Sequence, residues 1–138
     1  MSYNLFLDDA RLPEDVKWTG APPMKWEIAR TYKQFVKIIE SRGVPDTVSF
    51  DHDLAPEHYE EHKCAHDIKM ISYGKIRYHN FKEKSGYEAA KFLAEYCISK
   101  KIDIPKYYIH TLNLIGRKNI SLVLENAQQE ISKQYITK

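Results

Sequence analysis

Two short acidic runs stand out because each directly follows an apolar stretch. Asp8 and Asp9 follow Leu5-Phe6-Leu7, and Asp51-His52-Asp53 follows Val48-Ser49-Phe50. Asp is almost never fully buried unless it is paired, so these carboxylates are poor core filler. If the two apolar runs are neighbouring parallel strands, the carboxylates meet at one sheet edge, where a divalent cation or raised pKa values would relieve their repulsion. The alternative is two solvated acidic turns.

A hard cation, Mg²⁺ or Mn²⁺, is the cofactor that these residues predict, because it prefers oxygen ligands. The candidate metal ligands are Asp8, Asp9, Asp51 and Asp53. The candidate catalytic residues are His110, His52 and Asp51, since a strand-end imidazole could protonate a leaving oxygen or activate water. We expect the nearby carboxylates to hold the pKa of His110 above its ordinary value. The alternative for His110 is a satisfied strand histidine.

Four other residues are candidates for binding a phosphate at the same edge. They are Arg11, Asn113, Gly116 and Arg117. Gly116 and Arg117 open a predicted helix, whose free N–H groups and dipole favour an anion, and Arg117 could add a bidentate contact. Arg11 could instead neutralise Asp8 or Asp9, and Asn113 could simply cap the helix. The set describes a phosphate-centred site, and the absence of a P-loop sequence favours a hydrolase over a kinase.

The elements that position these residues follow from hydrophobic periodicity. Strands are predicted over 3–7, 26–30, 46–50 and 106–112, and helices over about 32–42, 86–100 and 116–133. Residues 11–25 contain three prolines and Gly20, which predicts a loop. A helix of about ten residues between two strands indicates a right-handed crossover and a parallel sheet. Ligands of such sheets bind beyond the carboxyl ends of the strands, where the candidate residues fall.

Composition places the chain in an ordinary class. Its 138 residues suit a single domain, 1–138, with an insert at about 55–84, and 43% hydrophobic residues with a net charge of +2 say little about partners. No apolar run is long enough to span a membrane, and we find no DNA-binding motif. Two unlinked cysteines and no secretion signal predict a cytoplasmic protein, and the oligomeric state stays open.

The insert carries two further patterns. His58, His62 and His66 recur every four residues, a spacing that could hold zinc, but a solvated helix rich in Glu and His is the favoured interpretation. Residues 69–84 interleave basic and aromatic side chains, which suits contact with a nucleotide, and the alternative is a basic flap with no such role. Because the insert follows Asp53 directly, we expect it to form a lid over the strand ends.

Four runs together resemble the cyclic-phosphate processing receiver domains of bacteria and their phages. They are Leu7-Asp8-Asp9-Ala10-Arg11-Leu12-Pro13, Ser49-Phe50-Asp51-His52-Asp53-Leu54, Ser85-Gly86-Tyr87-Glu88-Ala89-Ala90-Lys91-Phe92-Leu93 and His110-Thr111-Leu112-Asn113-Leu114-Ile115-Gly116-Arg117-Lys118-Asn119-Ile120. The resemblance implies an α/β fold, a receiver-like (flavodoxin-like) three-layer sandwich with a mostly parallel sheet of about four to five strands. It also implies a role in processing cyclic phosphates on nucleotides or RNA ends.

The resemblance assigns receiver positions to the acidic residues. Asp8 and Asp9 match the receiver acidic pair, Asp51 or Asp53 matches the phosphoacceptor, and His110 stands at the Ser/Thr switch position. A receiver's late-strand lysine has no counterpart, which counts against phospho-signalling. Three functions therefore stay open: metal-assisted hydrolysis of a cyclic phosphate, a non-catalytic module that binds a phosphorylated ligand or protein partner, and a phosphoaccepting signalling receiver.

Overall fold

The computed structural model describes residues 2–54 and 84–136. The histidine repeat, the basic stretch up to residue 83 and the predicted lid lie outside these residues. Four short strands form one parallel sheet in the order β2-β1-β3-β4. The strands are β1 Asn4–Leu7, β2 Glu27–Ala29, β3 Thr47–Phe50 and β4 Lys106–Ile109. The predicted α/β receiver-like class with a parallel sheet is confirmed.

In the described residues, three α-helices connect and follow these strands, and each begins at a polar cap. Helix α1 is Tyr32–Arg42, α2 is Gly86–Lys100 and α3 is Leu114–Ile136. The Thr31 hydroxyl accepts the N–H of Gln34 (3.1 Å), and the Ser85 hydroxyl accepts that of Tyr87 (3.2 Å). These caps satisfy N–H groups that the first helical turn leaves free, which explains why both helices begin where the sequence predicted.

The helices cover one face of the sheet. The steps from β2 to β3 and from β3 to β4 run in the same direction across the sheet, so right-handed crossovers place their helices on the same face. Strand side chains on that face join helix side chains in one hydrophobic core. The core includes Leu5, Leu7, Val48 and Phe50 from the strands, with Phe35, Ile39, Leu93, Ile120 and Leu124 from the helices. We call this the helix face.

The other face carries the alternate side chains, which include Phe6, Ser49 and Tyr108 in register on three neighbouring strands. The connection from β1 to β2 steps in the opposite direction, so it crosses this second face. A 3-10 helix, Pro13–Thr19, forms within it, where the sequence predicted only loop. Proline is tolerated in a first helical turn, and an Asp15 carboxylate oxygen accepts the Leu12 N–H at 2.8 Å, so a short helix is stable there. We call this the open face.

Two element boundaries near the candidate site differ from the predictions. Strand β4 ends at Ile109 rather than at residue 112, and α3 begins at Leu114 rather than at 116. The reason is Asn113, whose side-chain oxygen accepts the Gly116 N–H at 2.9 Å and so starts the helix two residues earlier. The segment between the strand and this cap is therefore a tight turn.

Candidate active site

Three adjacent strands each end in one buried polar residue on the open face. Asp8 follows β1, Asp51 follows β3 and His110 follows β4, and all three are buried. The backbone bonds Asp51 N–H to Leu7 O and His110 N–H to Phe50 O, both 2.9 Å, continue the ladder and hold the residues side by side. One ligand atom from each lies within 4.8 Å of the other two. We call these three residues the acidic cluster.

His110 is fully buried. Its Nδ1 lies 2.7 Å from the Ser49 hydroxyl, its Nε2 lies 3.0 Å from Asp8 Oδ2, and its ring stacks parallel on Phe6 at 4.5 Å. Because an ionised carboxylate can only accept, Nε2 carries the proton donated to Asp8, and Nδ1 of the neutral ring accepts from Ser49. Burial lowers the pKa of His110 and outweighs the hydrogen bond to Asp8, which raises it. The expectation of a raised His110 pKa is therefore wrong.

Asp8 is the better satisfied of the two carboxylates. Its Oδ1 accepts the backbone N–H groups of Ala10 (2.9 Å) and Arg11 (2.8 Å), and its Oδ2 accepts the Arg11 Nε–H (2.9 Å) and His110. Burial raises the pKa of Asp8, but these bonds, led by the one from His110, together with the Arg11 charge, hold it well below its ordinary range. Asp8 is therefore a stable anion.

Asp51 has the same side chain in a poorer environment. Its Oδ1 accepts the His52 N–H (2.8 Å) and lies 3.3 Å from the Arg11 guanidinium, whereas its buried Oδ2 has no hydrogen-bond partner among residues 2–54 and 84–136. Burial, followed by repulsion from Asp8, raises the pKa of Asp51 to about 7, against the lowering effect of Arg11. A buried, unsatisfied carboxylate oxygen needs a proton or a cation.

A second polar group lies under the start of α3 and consists of His52, Asp53 and Asn113. The His52 Nδ1–H donates to Asp53 Oδ1 at 2.7 Å, and the Asn113 amide donates to the same oxygen at 3.2 Å. Gly116 lies against the His52 ring so closely that a Cβ would come within 2.4 Å of its Cγ. The Asp53 carboxylate thus orients the His52 imidazole, and we call these two residues the His52 pair.

A family model described as the cyclic-phosphate processing receiver domain matches residues 3–126. The chain belongs to this family. No curated protein and no solved structure matches it. The match agrees with the four runs from which the sequence predicted the family. Within the described part of this receiver domain, no helix is both long and apolar enough to cross a membrane.

The receiver domain brings together only some of the predicted site residues. Asp8, Asp51 and His110 form the acidic cluster, and Arg11 bonds both of its carboxylates. Among the described residues, Asp9 and Asp53 do not join this metal-competent group. Asp53 instead belongs to the His52 pair, and the Gly116 N–H is committed to Asn113. Arg117 donates to the Ile109 carbonyl at 3.0 Å, beside a separate groove.

The acidic cluster has the donor set of a divalent-cation site. Asp51 Oδ2 provides an unpartnered carboxylate oxygen, Asp8 a second carboxylate, and His110 an imidazole. Two carboxylates suit Mg²⁺ or Mn²⁺, and an imidazole is better tolerated by Mn²⁺. His110 can become a ligand without losing Ser49, because a hydroxyl can accept from Nδ1–H as readily as it donates to Nδ1. The residues therefore fit a cation.

Two supporting residues were missed by the sequence reasoning. Ser49 sets the tautomer of His110, and Arg30 donates to the Asp8 and Arg11 carbonyls at 3.1 and 2.7 Å, which fixes the turn after β1. The signal for Ser49 was present, because it alternates with core residues on a strand that ends in Asp51. Arg30 carried no such signal, since its contacts depend on how the segment from 8 to 26 crosses the sheet.

Proposed function

We propose that this receiver domain hydrolyses a cyclic phosphate on a nucleotide or an RNA end, assisted by Mg²⁺ or Mn²⁺ at the acidic cluster. The observation that carries the proposal is the buried Asp51 Oδ2, which lacks a hydrogen-bond partner among the described residues and lies beside Asp8 and His110. Family membership supports the cyclic-phosphate part of the proposal. Metal assistance and turnover are our inference from the cluster.

Hydrolysis adds one water across a P–O bond of the ring. The water oxygen bonds to phosphorus, the ribose oxygen leaves and takes a proton, and the product is a phosphomonoester. Asp51 and Asp8 would hold the cation, which would neutralise charge on the phosphoryl oxygens. Arg11 is about one-quarter exposed and already bonds both carboxylates, so it can turn its guanidinium toward a bound phosphate.

Proton transfer is assigned to His110, with His52 as the second candidate. If Asp8 and Asp51 alone hold the cation, a neutral His110 suits acceptance of a proton from the attacking water better than donation to the leaving oxygen, because burial lowers its pKa. His52 has the alternative advantage that Asp53 orients its ring, an arrangement used by general bases. The phosphate-binding roles of Asn113, Gly116 and Arg117 remain proposals, as do the metal-binding roles of Asp9 and Asp53.

A non-catalytic module that holds a phosphorylated ligand is the second candidate function. The observation that favours it is Arg11, whose bonds to Asp8 and Asp51 neutralise part of the cluster without a cation. A guanidinium in that position could bind a phosphate directly and leave it intact. For either function, the two cysteines, which form no framework, favour a reducing cytoplasm as the proposed location.

Turnover separates the two functions. The protein is incubated with 2′,3′-cyclic nucleotides, 3′,5′-cyclic nucleotides and RNA ending in a cyclic phosphate, each in Mg²⁺, Mn²⁺ or EDTA. Phosphorus NMR and chromatography then detect the phosphomonoester. If the protein is a hydrolase, we expect conversion of at least one compound in Mg²⁺ or Mn²⁺ and of none in EDTA. No conversion, combined with saturable binding of the same compounds, would establish the binding module instead.

A further inference from the structure

A groove of about 360 Å³ opens beside the C-terminal half of β4, and its lining includes none of the acidic-cluster residues. Trp18 and Thr19 from the 3-10 helix, residues 107–109 of β4, and Arg117 and Ser121 from α3 line it. Sites for small molecules typically measure about 300–1,000 Å³. Trp18 leaves 51% of its surface exposed, although the same helix buries its Val16. The groove therefore presents an indole that the fold itself does not use for its core.

The groove runs along the outer edge of β4, and its Trp18 and Tyr108 side belongs to the open face, which also carries the acidic cluster. Tyr108 is two residues before His110, so both side chains leave β4 toward the open face, and Tyr108 is in register with Ser49, which bonds His110. Arg11 joins the two regions, because its guanidinium lies 5.6 Å from the Trp18 ring centre while it bonds Asp8 and Asp51. A ligand with its phosphate at the cluster would extend naturally into the groove.

The groove offers the contacts that a flat heteroaromatic ring uses. Trp18 and Tyr108 provide aromatic surfaces for stacking, and the Lys106 ammonium lies 5.6 Å from the Tyr108 ring centre, which adds positive charge nearby. Arg117 is held by the Ile109 carbonyl, and a guanidinium carries five N–H donors, so it can meet acceptors on the ring edge. A cyclic phosphate without a base would use none of the aromatic contacts.

We propose that this groove binds the nucleobase of the substrate, with Trp18 as the stacking residue and Arg117 as a donor to the base edge. The substrate class is then a nucleoside cyclic phosphate, free or at an RNA end, and not a base-free cyclic phosphate. This inference rests on the proposed function for the placement of the phosphate. It reassigns Arg117 from phosphate to base recognition.

The test compares a nucleoside with its base-free analogue, adenosine 2′,3′-cyclic phosphate against methyl riboside 2,3-cyclic phosphate. The parent is expected to show the higher kcat/KM with the nucleoside. Trp18→Ala should reduce the ratio of the two kcat/KM values by about 5- to 150-fold, the effect of losing one base-stacking contact. Trp18→Phe retains an aromatic face and should restore most of the ratio. Ile102→Ala truncates an exposed apolar side chain at the other end of β4 and should match the parent.

A binding measurement keeps this inference separate from the proposed hydrolysis. Calorimetry compares adenosine 3′-monophosphate with the matching methyl riboside phosphate in the parent and in Trp18→Ala. Base-dependent binding that Trp18→Ala abolishes, with no turnover of any compound, would support the groove and contradict hydrolysis. Turnover or binding that ignores the base in the parent, or a preference that Trp18→Ala retains in full, would overturn the groove assignment.

Discussion

Asp8 and Asp51 are the same residue type with ligand atoms within 4.8 Å of each other, yet their pKa values move in opposite directions. Asp8 accepts bonds from the turn that follows it and from His110, and these offset its burial. Asp51 has one unsatisfied oxygen and faces the Asp8 charge. Asp8 is thus a stable anion, whereas ionisation of Asp51 is unfavourable in the folded protein. A bound cation would therefore stabilise the ionised form of Asp51 most.

We predict that Asp51→Asn stabilises the metal-free protein increasingly as pH rises from about 4 to about 7. The folded pKa of Asp51, about 7, lies above the ordinary value of 3.8, so in this window the folded state binds more protons and charging Asp51 destabilises it. The limit is about 4 kcal/mol, at ~1.4 kcal/mol per pKa unit. Urea unfolding in EDTA measures the difference between the variant and its parent.

The variant has to be compared with its parent because His110 contributes to the pH dependence of stability with the opposite sign. Its pKa is lowered from 6.5, so its contribution to stability is lost as pH falls below that value. Because both proteins retain His110, the difference between their free energies of unfolding isolates the pH dependence that Asp51 contributes. Asp46→Asn makes the same substitution at an exposed position before β3, so it is the matched control and should leave stability close to that of the parent. A difference in unfolding free energy that stays constant between pH 4 and 7 would mean that the pKa of Asp51 is not raised in the folded protein.

His110 is predicted to support folding as well as any chemistry. His110→Ala removes a fully buried ring that packs on Phe6 and leaves the Ser49 and Asp8 groups without that partner, so we expect a loss of roughly 2–5 kcal/mol. His110→Gln can still donate to Asp8 and should lose less. Equilibrium urea unfolding gives both values. A loss below about 1 kcal/mol in His110→Ala would contradict the packed arrangement.

At the residue scale, the sequence predicted which residues gather at the site better than it predicted their protonation states. Asp8, Asp51 and His110 were recognisable because polar residues at strand ends are poor core filler. The direction of the His110 pKa was wrong, because its burial between Ser49, Asp8 and Phe6 depends on strand register rather than on residue type. The hydrogen-bond partners of Arg30 were not predicted for the same reason, because they too depend on the tertiary structure.

At the scale of elements, α2 fixes the backbone of the acidic cluster through Gly86. The Gly86 N–H donates to the His52 carbonyl at 2.8 Å, and a Cβ at this residue would stand 1.7 Å from the Asp51 carbonyl oxygen. Only a glycine lets the helix approach the strand end so closely. The helix thereby limits movement of Asp51 away from Asp8.

Gly86→Ala is predicted to destabilise the protein by more than the ~1–3 kcal/mol typical of overpacking, because the obstacle is backbone. Gly116→Ala should fall within that range, since it meets the His52 side chain. An unconstrained helical glycine would respond oppositely, because alanine favours helix by about 0.5–1 kcal/mol. Thermal and urea unfolding measure both variants, and a neutral or stabilising Gly86→Ala would refute the close approach.

The elements themselves were largely predictable. Hydrophobic periodicity and the caps at Thr31 and Ser85 predicted α1, α2 and all four strands. The exceptions were the 3-10 helix after Pro13 and the early start of α3 at Asn113. Both depend on a single local side-chain bond, which periodicity does not report.

At the scale of the whole molecule, the two faces of the sheet have different tasks. The helix face is apolar and holds the core, whereas the open face carries the acidic cluster and the Trp18 and Tyr108 side of the groove. Because side chains alternate along each strand, the same short strands build both. The order β2-β1-β3-β4 places the ends of β1, β3 and β4 side by side, which is what collects Asp8, Asp51 and His110.

The most direct test of the account is the rate of cyclic-phosphate hydrolysis in Mn²⁺ and in EDTA, for the parent, Asp51→Asn and the control Asp46→Asn. We expect the parent and Asp46→Asn to turn over the substrate in Mn²⁺ and to stop in EDTA. Asp51→Asn should be slower by about 10²-fold or more, roughly 2.7 kcal/mol in the barrier. Turnover in EDTA at an undiminished rate, or an Asp51→Asn variant as fast as its parent, would contradict a cation-dependent centre at Asp51.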